Sequence, residues 1–185
     1  MITIRTEAPE GDEGYFDDQP AWQARAFDGN LLEEGLSNLP ARSPLVFSAT
    51  TPVRTAMRAM QQERRGCVLV TEDGTSQTRL IGIFTDRDVL YRVVDRGRNP
   101  AVMPLRDVMT SDPETMADEA SVAWVLNQMA VGGYRHIPVV DAAHRPVFVI
   151  SVRDVVQFLV EFFPQQILNL PPQYRTARIK GREGA

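Results

Sequence analysis

Cysteine, histidine and lysine are almost missing from this 185-residue chain, which holds only Cys67, His136, His144 and Lys180 of these types. A single cysteine excludes an intramolecular disulfide and points to the cytoplasm as the compartment. Two histidines and one cysteine leave too few ligands for a structural zinc site. No uncharged apolar run approaches the ~18 residues of a membrane span, so no membrane partner is expected. The opening MITIRTEAPEGDEG lacks the apolar core of a secretory leader. An excess of basic charge is missing too: 24 acids outnumber 20 bases, for a net charge of −4. The charge is uneven, since residues 1–20 carry six acids against Arg5 and residues 164–185 carry four bases against Glu183. The segment between them is close to neutral, which argues against the basic face of a nucleic-acid binder. What is present, 43% hydrophobic and 24% charged residues, is ordinary globular composition. At about 150 residues per domain the length suits one domain or two small units sharing a core.

The strongest positive signal is an internal repeat. Val53, Ala56, Met57 and Met60 fall at i, i+3, i+4 and i+7, and Val122, Val125, Leu126 and Met129 repeat the pattern 69 positions later. Each set draws one apolar stripe along a helix. Each helix is expected to end near glycine, at Gly66 and at Gly132-Gly133. A β-branched run follows in each half, Cys67–Val70 and His136–Val140, then a polar loop, then a second apolar run, Leu80–Phe84 and Val147–Ile150. Both second runs lead directly into a helix. Each half therefore reads helix–strand–strand–helix, preceded by an extended segment. A unit so small cannot cover both faces of its sheet, so the halves are expected to pack on each other with pseudo-two-fold symmetry. Residues 21–40 suggest a short helix around Leu31–Glu34. Residues 1–20 and 175–185 read as loose ends, and Phe162, Phe163, Ile167, Leu168 and Leu170 as cover for the core or an interface.

The chemistry resides at the two strand-to-helix junctions. Thr85-x-x-Asp88 and Ser151-x-x-Asp154 occupy equivalent places. In one reading each is a capping box, with hydroxyl and carboxylate satisfying the first amides of the helix, a contribution of about 1 kcal/mol. The other reading uses the same geometry: a helix start offers amides to a phosphate, and a carboxylate suits the diol of a ribose. The two are compatible.

On these residues the chain resembles a tandem pair of CBS domains, often called a Bateman module. GIFTDRDVL is similar to the family's strand–Thr/Ser-x-x-Asp–helix signature. MTSDPETMADEASVAWVLNQMAVGGYRHIPVVD, followed by VFVISVRDVVQFL, is similar to the second copy throughout. The layout, including FFPQQILNLPP, resembles small stand-alone bacterial proteins of this kind. The expected organisation is an N-terminal extension over 1–40, repeats over 41–100 and 101–163, and a C-terminal extension over 164–185. The resemblance implies an α/β fold in which the halves meet through their sheets and enclose two clefts. In many members these hold AMP, ADP, ATP, S-adenosylmethionine or NAD, with no cofactor required. By motif position, Asp88 and Asp154 would hold ribose hydroxyls, and Thr85 and Ser151 ribose or phosphate oxygens. The backbone of Ile137, Pro138 and Val139 would flank the base, with Arg135 and His136 as basic phosphate contacts. Arg87 and Arg153 either contact phosphate, lie along the helix surface or pair with a nearby acid.

Two departures bear on the clefts. Gly82 of the first copy is Phe148 in the second, so phenylalanine is expected to narrow or fill one cleft. The first copy also has Gly66-Cys67 where the second has Arg135-His136. The Ser151/Asp154 cleft is therefore expected to be the tighter one, with Arg135 and His136 as its basic groups. Cys67 reads as a core thiol and His144 as a solvated turn residue. No nucleophile–base set, paired-carboxylate cleft or phosphate loop is evident, so the chain is not read as an enzyme. The preferred function is a regulatory homodimer that senses an adenosine compound and signals to an unidentified protein partner. The dimer is expected to use helical faces around Ala123-Trp124 and Phe158-Leu159. The alternative is an interaction module whose clefts have degenerated.

Overall fold

The computed structural model describes residues 42–162, together with 30–33, 35–36 and 39. The expectations for residues 1–20, Phe163, Ile167, Leu168, Leu170 and residues 175–185, and for the side chain of Phe162, lie outside the described residues. After the short helix α1 (Asn30–Glu33), the first half runs β1 (Val46–Ser48), α2 (Val53–Glu63), β2 (Cys67–Thr71), β3 (Leu80–Thr85) and α3 (Asp86–Asp88). A wider π-helical turn over Val89–Val94 extends α3. The connection then supplies β4 (Thr110–Ser111), and the second half follows as β5 (Met116–Ala117), α4 (Val122–Val131), β6 (His136–Val140), β7 (Pro146–Ser151) and α5 (Val152–Phe162).

The strands form two sheets, ordered β1-β2-β3-β4 and β5-β6-β7. The halves match in register as well as in order. Cys67 pairs with Thr85 and His136 with Ser151, and the ladder slips once in each, at Val70/Thr71 and at Val139/Val140. The extended segment before each helix is itself a strand, paired in parallel with β2 or β6.

Strand parity decides how the halves join. Side chains alternate between the faces of a strand. Val68, Val70 and Phe84 point to the helices of the first half, and Ile137, Val139 and Ile150 to those of the second. The opposite parity, Cys67, Leu69, Leu80 and Ile83 from one sheet with Val140 and Val149 from the other, makes a third cluster between the sheets. This accounts for the nearly continuous apolar strands, which are buried on both faces.

Several expectations are corrected by the packing. Helix α2 ends at Arg64, in the left-handed conformation with φ 51°, and not at Gly66; its cap is closed by the Arg65 amide donating to the Met60 carbonyl at 2.8 Å. The equivalent position in the second half is Gly133, at φ 69°. Phe148 pairs with Val139 and packs on the core of its own half, facing away from the inter-sheet side. At the matching position, a Cβ on Gly82 would lie 2.5 Å from Met109 Sδ. The glycine thus admits a methionine rather than a ligand. Phe158 is core, 2% exposed, so it offers no dimer face, whereas Trp124 is 55% exposed. Exposed apolar side chains also include Leu90, Tyr91 and Val94 of the π-helical turn, Val131 of α4, and Val152 and Val156 of α5. His144, also left-handed, is a joint between the halves: its carbonyl accepts from the Leu80 amide at 2.9 Å, and its Nε2 is buried.

Candidate functional site

Both junctions form the capping box that their spacing suggests. The Asp88 Oδ2 atom accepts from the Thr85 amide and hydroxyl, each at 2.8 Å, and the Asp88 amide donates back to Thr85 Oγ1 at 3.4 Å. Asp154 Oδ2 accepts from the Ser151 amide at 2.8 Å and from its hydroxyl at 2.7 Å. The spacing alone therefore determines one carboxylate oxygen in each half.

The other oxygen differs. Asp88 Oδ1 is 3.2 Å from Arg92 Nε, one helical turn on, and Arg92 is held in turn by donating to the Val108 carbonyl at 2.9 Å. The Asp88 side chain is only 9% exposed. The residue four places after Asp154 is Phe158, which is core, so Asp154 Oδ1 has no partner among the described residues and Asp154 is half-buried. One carboxylate is consumed inside the protein and the other is available.

Each junction faces a cleft between the halves, and each cleft borrows its opposite wall from the other repeat. The Asp154 cleft, about 230 Å³, joins Ser151, Arg153 and Asp154 to Arg64, Arg65, Gly66 and Cys67 of the first half and to Arg42 ahead of β1. The Asp88 cleft, about 280 Å³, joins Thr85, Arg87, Asp88 and Arg92 to Tyr134 and Pro138 of the second half. Size does not separate the two clefts, but charge does. The Asp154 cleft carries five arginines against one acid, whereas the Asp88 cleft carries three against Asp88 and Glu114.

The remaining predicted site residues divide between these clefts. Arg135 and His136 line both of them, and Arg135 is tied to Asp86 by an exposed ion pair at 2.9 Å. His136 lies over Gly66, where a Cβ would come within 2.6 Å of Nε2. Burial holds its pKa below the ordinary histidine value, opposed by Asp86, reinforced by Arg135 and opposed by Asp154. It is thus neutral at pH 7 and supplies no charge. Of the three residues expected to flank a base, Pro138 lines the Asp88 cleft, while the side chains of Ile137 and Val139 are wholly buried in the core. Sequence reasoning missed Arg42, Arg64, Arg65 and Arg92. Only Arg92 left a local trace, its i,i+4 spacing from Asp88.

Cys67 is buried, which pushes its thiol pKa up to about 12 and leaves it unreactive. Among the described residues His136 makes no hydrogen bond to a hydroxyl, thiol or carboxylate, and the cleft hydroxyls bonded to carboxylates, those of Thr85 and Ser151, are helix caps. None of the described His, Cys, Asp and Glu side chains cluster in threes to hold a metal ion. No helix among the described residues is long and apolar enough to cross a membrane.

A duplicated α/β unit, joined sheet to sheet with a hydroxyl–carboxylate junction at each of two clefts, defines a two-cleft architecture. The family model of the CBS domain matches residues 36–95 and 105–161, well over half of the sequence, and the chain belongs to that family as a tandem pair. CBS domain-containing protein CBSCBSPB1 of Arabidopsis thaliana is 30% identical over 129 residues, which are 70% of this chain but 22% of the plant protein. The chain thus spans less than a quarter of that relative's length. Among solved structures, the CBS domain protein PAE2072 from Pyrobaculum aerophilum, complexed with AMP, has a TM-score of 0.61 at 25% identity, covering 71% of this chain and 99% of that one. The CBS domain pair of protein MJ0100, in complex with 5′-methylthioadenosine and S-adenosyl-L-methionine, has a TM-score of 0.56 at 17% identity, covering 64% of this chain and 94% of its own, and shares the fold.

Proposed function

We propose that this chain is a regulatory module that binds one adenosine-containing nucleotide per chain, in the Asp154 cleft, and passes the ligand state to a protein partner. The observation carrying this reading is that Asp154, whose Oδ1 has no partner among the described residues, lines an arginine-rich cleft. A ribose diol donates to that oxygen while the phosphate meets Ser151 and the guanidinium groups. The AMP complex of the Pyrobaculum aerophilum protein supports the ligand class. The Thr85 and Ser151 hydroxyls are engaged as helix caps by Asp88 and Asp154, which fits sensing better than catalysis. The Asp88 cleft fits the degenerate reading instead, because Arg92 holds the place of a ligand hydroxyl. The exposed Leu90, Tyr91, Val94, Val152 and Val156 support a homodimer.

Calorimetric titration of AMP and ATP into wild type, Asp154→Ala and Asp88→Ala tests the assignment. Losing a charged hydrogen-bond partner costs about 1.5–3 kcal/mol, so Asp154→Ala should weaken binding roughly ten- to hundredfold. Asp88→Ala should leave it nearly unchanged. Both substitutions loosen a helix start, so each variant is first shown to be folded by circular dichroism. Binding abolished by Asp88→Ala and retained in Asp154→Ala would reverse the assignment.

A further inference from the structure

The arginines around Asp154 are placed at local cost. Arg64 sits at φ 51°, where the second half uses Gly133. A left-handed backbone is favourable for glycine and unfavourable for a side chain with a Cβ. Arg153 lies in the first turn of the 11-residue helix α5, where the helix dipole disfavours a cation. Arg42 reaches the cleft because its backbone bridges to Val149 of the opposite half. None of these three has an acidic partner among the described residues, whereas Arg65 donates to the Ser43 carbonyl and Arg135 pairs with Asp86. Three arginines from three separate segments, without an acidic partner among the described residues, thus line one cleft together with a single carboxylate that a ribose would occupy. In the symmetry-related cleft, glycine and tyrosine, Gly133 and Tyr134, stand in place of Arg64 and Arg65. Arg65, bonded only to a carbonyl, adds a fourth charge, so the four guanidinium groups and Asp154 leave a net of +3, more than the roughly −1.5 to −2 of one phosphate monoester. Planar guanidinium forks match phosphate oxygens two at a time.

Resting on the nucleotide reading above, we propose that the Asp154 cleft selects nucleoside di- and triphosphates over monophosphates and over cationic adenosine compounds, with Arg42, Arg64 and Arg153 gripping the phosphate chain. Two of the selecting residues, Arg42 and Arg64, belong to the first half, opposite the helix that carries the ribose acceptor Asp154.

Titration of the full chain with ATP, ADP, AMP, S-adenosylmethionine and inorganic tripolyphosphate tests this, at low and at raised salt. ATP should bind at least about tenfold more tightly than AMP, by one or more charge-assisted contacts. The advantage should shrink with salt, because the three side chains are exposed and therefore screened. The double variant Arg64→Gln/Arg153→Gln removes no internal contact and should fold. It should bring ATP and AMP to within a few-fold of each other, because it weakens ATP much more than AMP. Asp154→Asn should weaken both nucleotides and preserve their ratio. Equal affinity for ATP and AMP in wild type, or an unchanged ratio in the arginine variant, would overturn the proposal. Tripolyphosphate binding without any nucleotide binding would uphold anion selection and sink the nucleotide reading. AMP and ATP binding equally, both lost in Asp154→Asn, would do the reverse.

Discussion

Replacing Arg92 by methionine should open the Asp88 cleft to a second ligand. Methionine keeps most of the aliphatic length of arginine but donates no hydrogen bond. In the wild type, Arg92 Nε lies 3.2 Å from Asp88 Oδ1 and its Nη1 donates to the Val108 carbonyl. The substitution frees Oδ1, and the Asp88 carboxylate then matches that of Asp154, with one oxygen held by its capping hydroxyl and amide and the other available. The cost follows from the same contacts. A charge-assisted bond contributes about 1.5–3 kcal/mol. The Arg92 side chain is 36% exposed, so solvent screening places the loss toward the lower end, about 1.5–2 kcal/mol. For a chain of this size that lowers the melting temperature by roughly 3–8 °C, which leaves a foldable protein. Calorimetry with AMP should then read a stoichiometry rising from one to two per chain. The second site should be the weaker, since it lacks counterparts of Arg64 and Arg65. Adding Asp88→Ala to Arg92→Met should return the stoichiometry to one. A folded Arg92→Met protein that still binds one equivalent, or a wild type that already binds two, would refute the claim that Arg92 occupies this cleft.

Acid should reveal the state of His136. Its folded pKa lies below the ordinary 6.5, so between those values the unfolded chain binds more protons and stability falls as pH drops below 6.5. His136→Asn should flatten that limb in urea titrations at pH 7.5, 6.5 and 5.5, above the range where Asp73 and Asp141, both lowered from 3.8, add their own acid sensitivity; an unchanged slope would exclude His136 as its source. Light scattering at tens of micromolar should find a dimer burying at least ~1,200 Å² in total. Leu90→Glu should shift it to monomer, and a wild-type monomer would remove the apolar helix faces from the account.

What the sequence determined by itself is local. The repeat was legible because helix and strand periods are written in side-chain polarity over ten or so residues. The capping boxes were legible because Thr85 and Asp88, or Ser151 and Asp154, stand three residues apart, and a helix start brings such a pair into contact whatever surrounds it. One carboxylate oxygen in each half was settled at that level, and the second was half-legible in the spacing of Asp88 and Arg92. The tertiary structure decided the rest. Phe148 was misassigned to a cleft because apolar residues on both faces of a doubly buried strand hide its parity, and only the paired sheet shows that Phe148 faces inward and Val149 the other half. Arg42, Arg64 and Arg65 reach Asp154 from about ninety to 112 positions away in sequence, counting from their numbers. They meet it because the pseudo-two-fold packing sets the start of one repeat's strand against the strand-to-helix junction of the other. No local spacing encodes that meeting; it is imposed when two sheets, each too small to cover itself, bury their faces against one another.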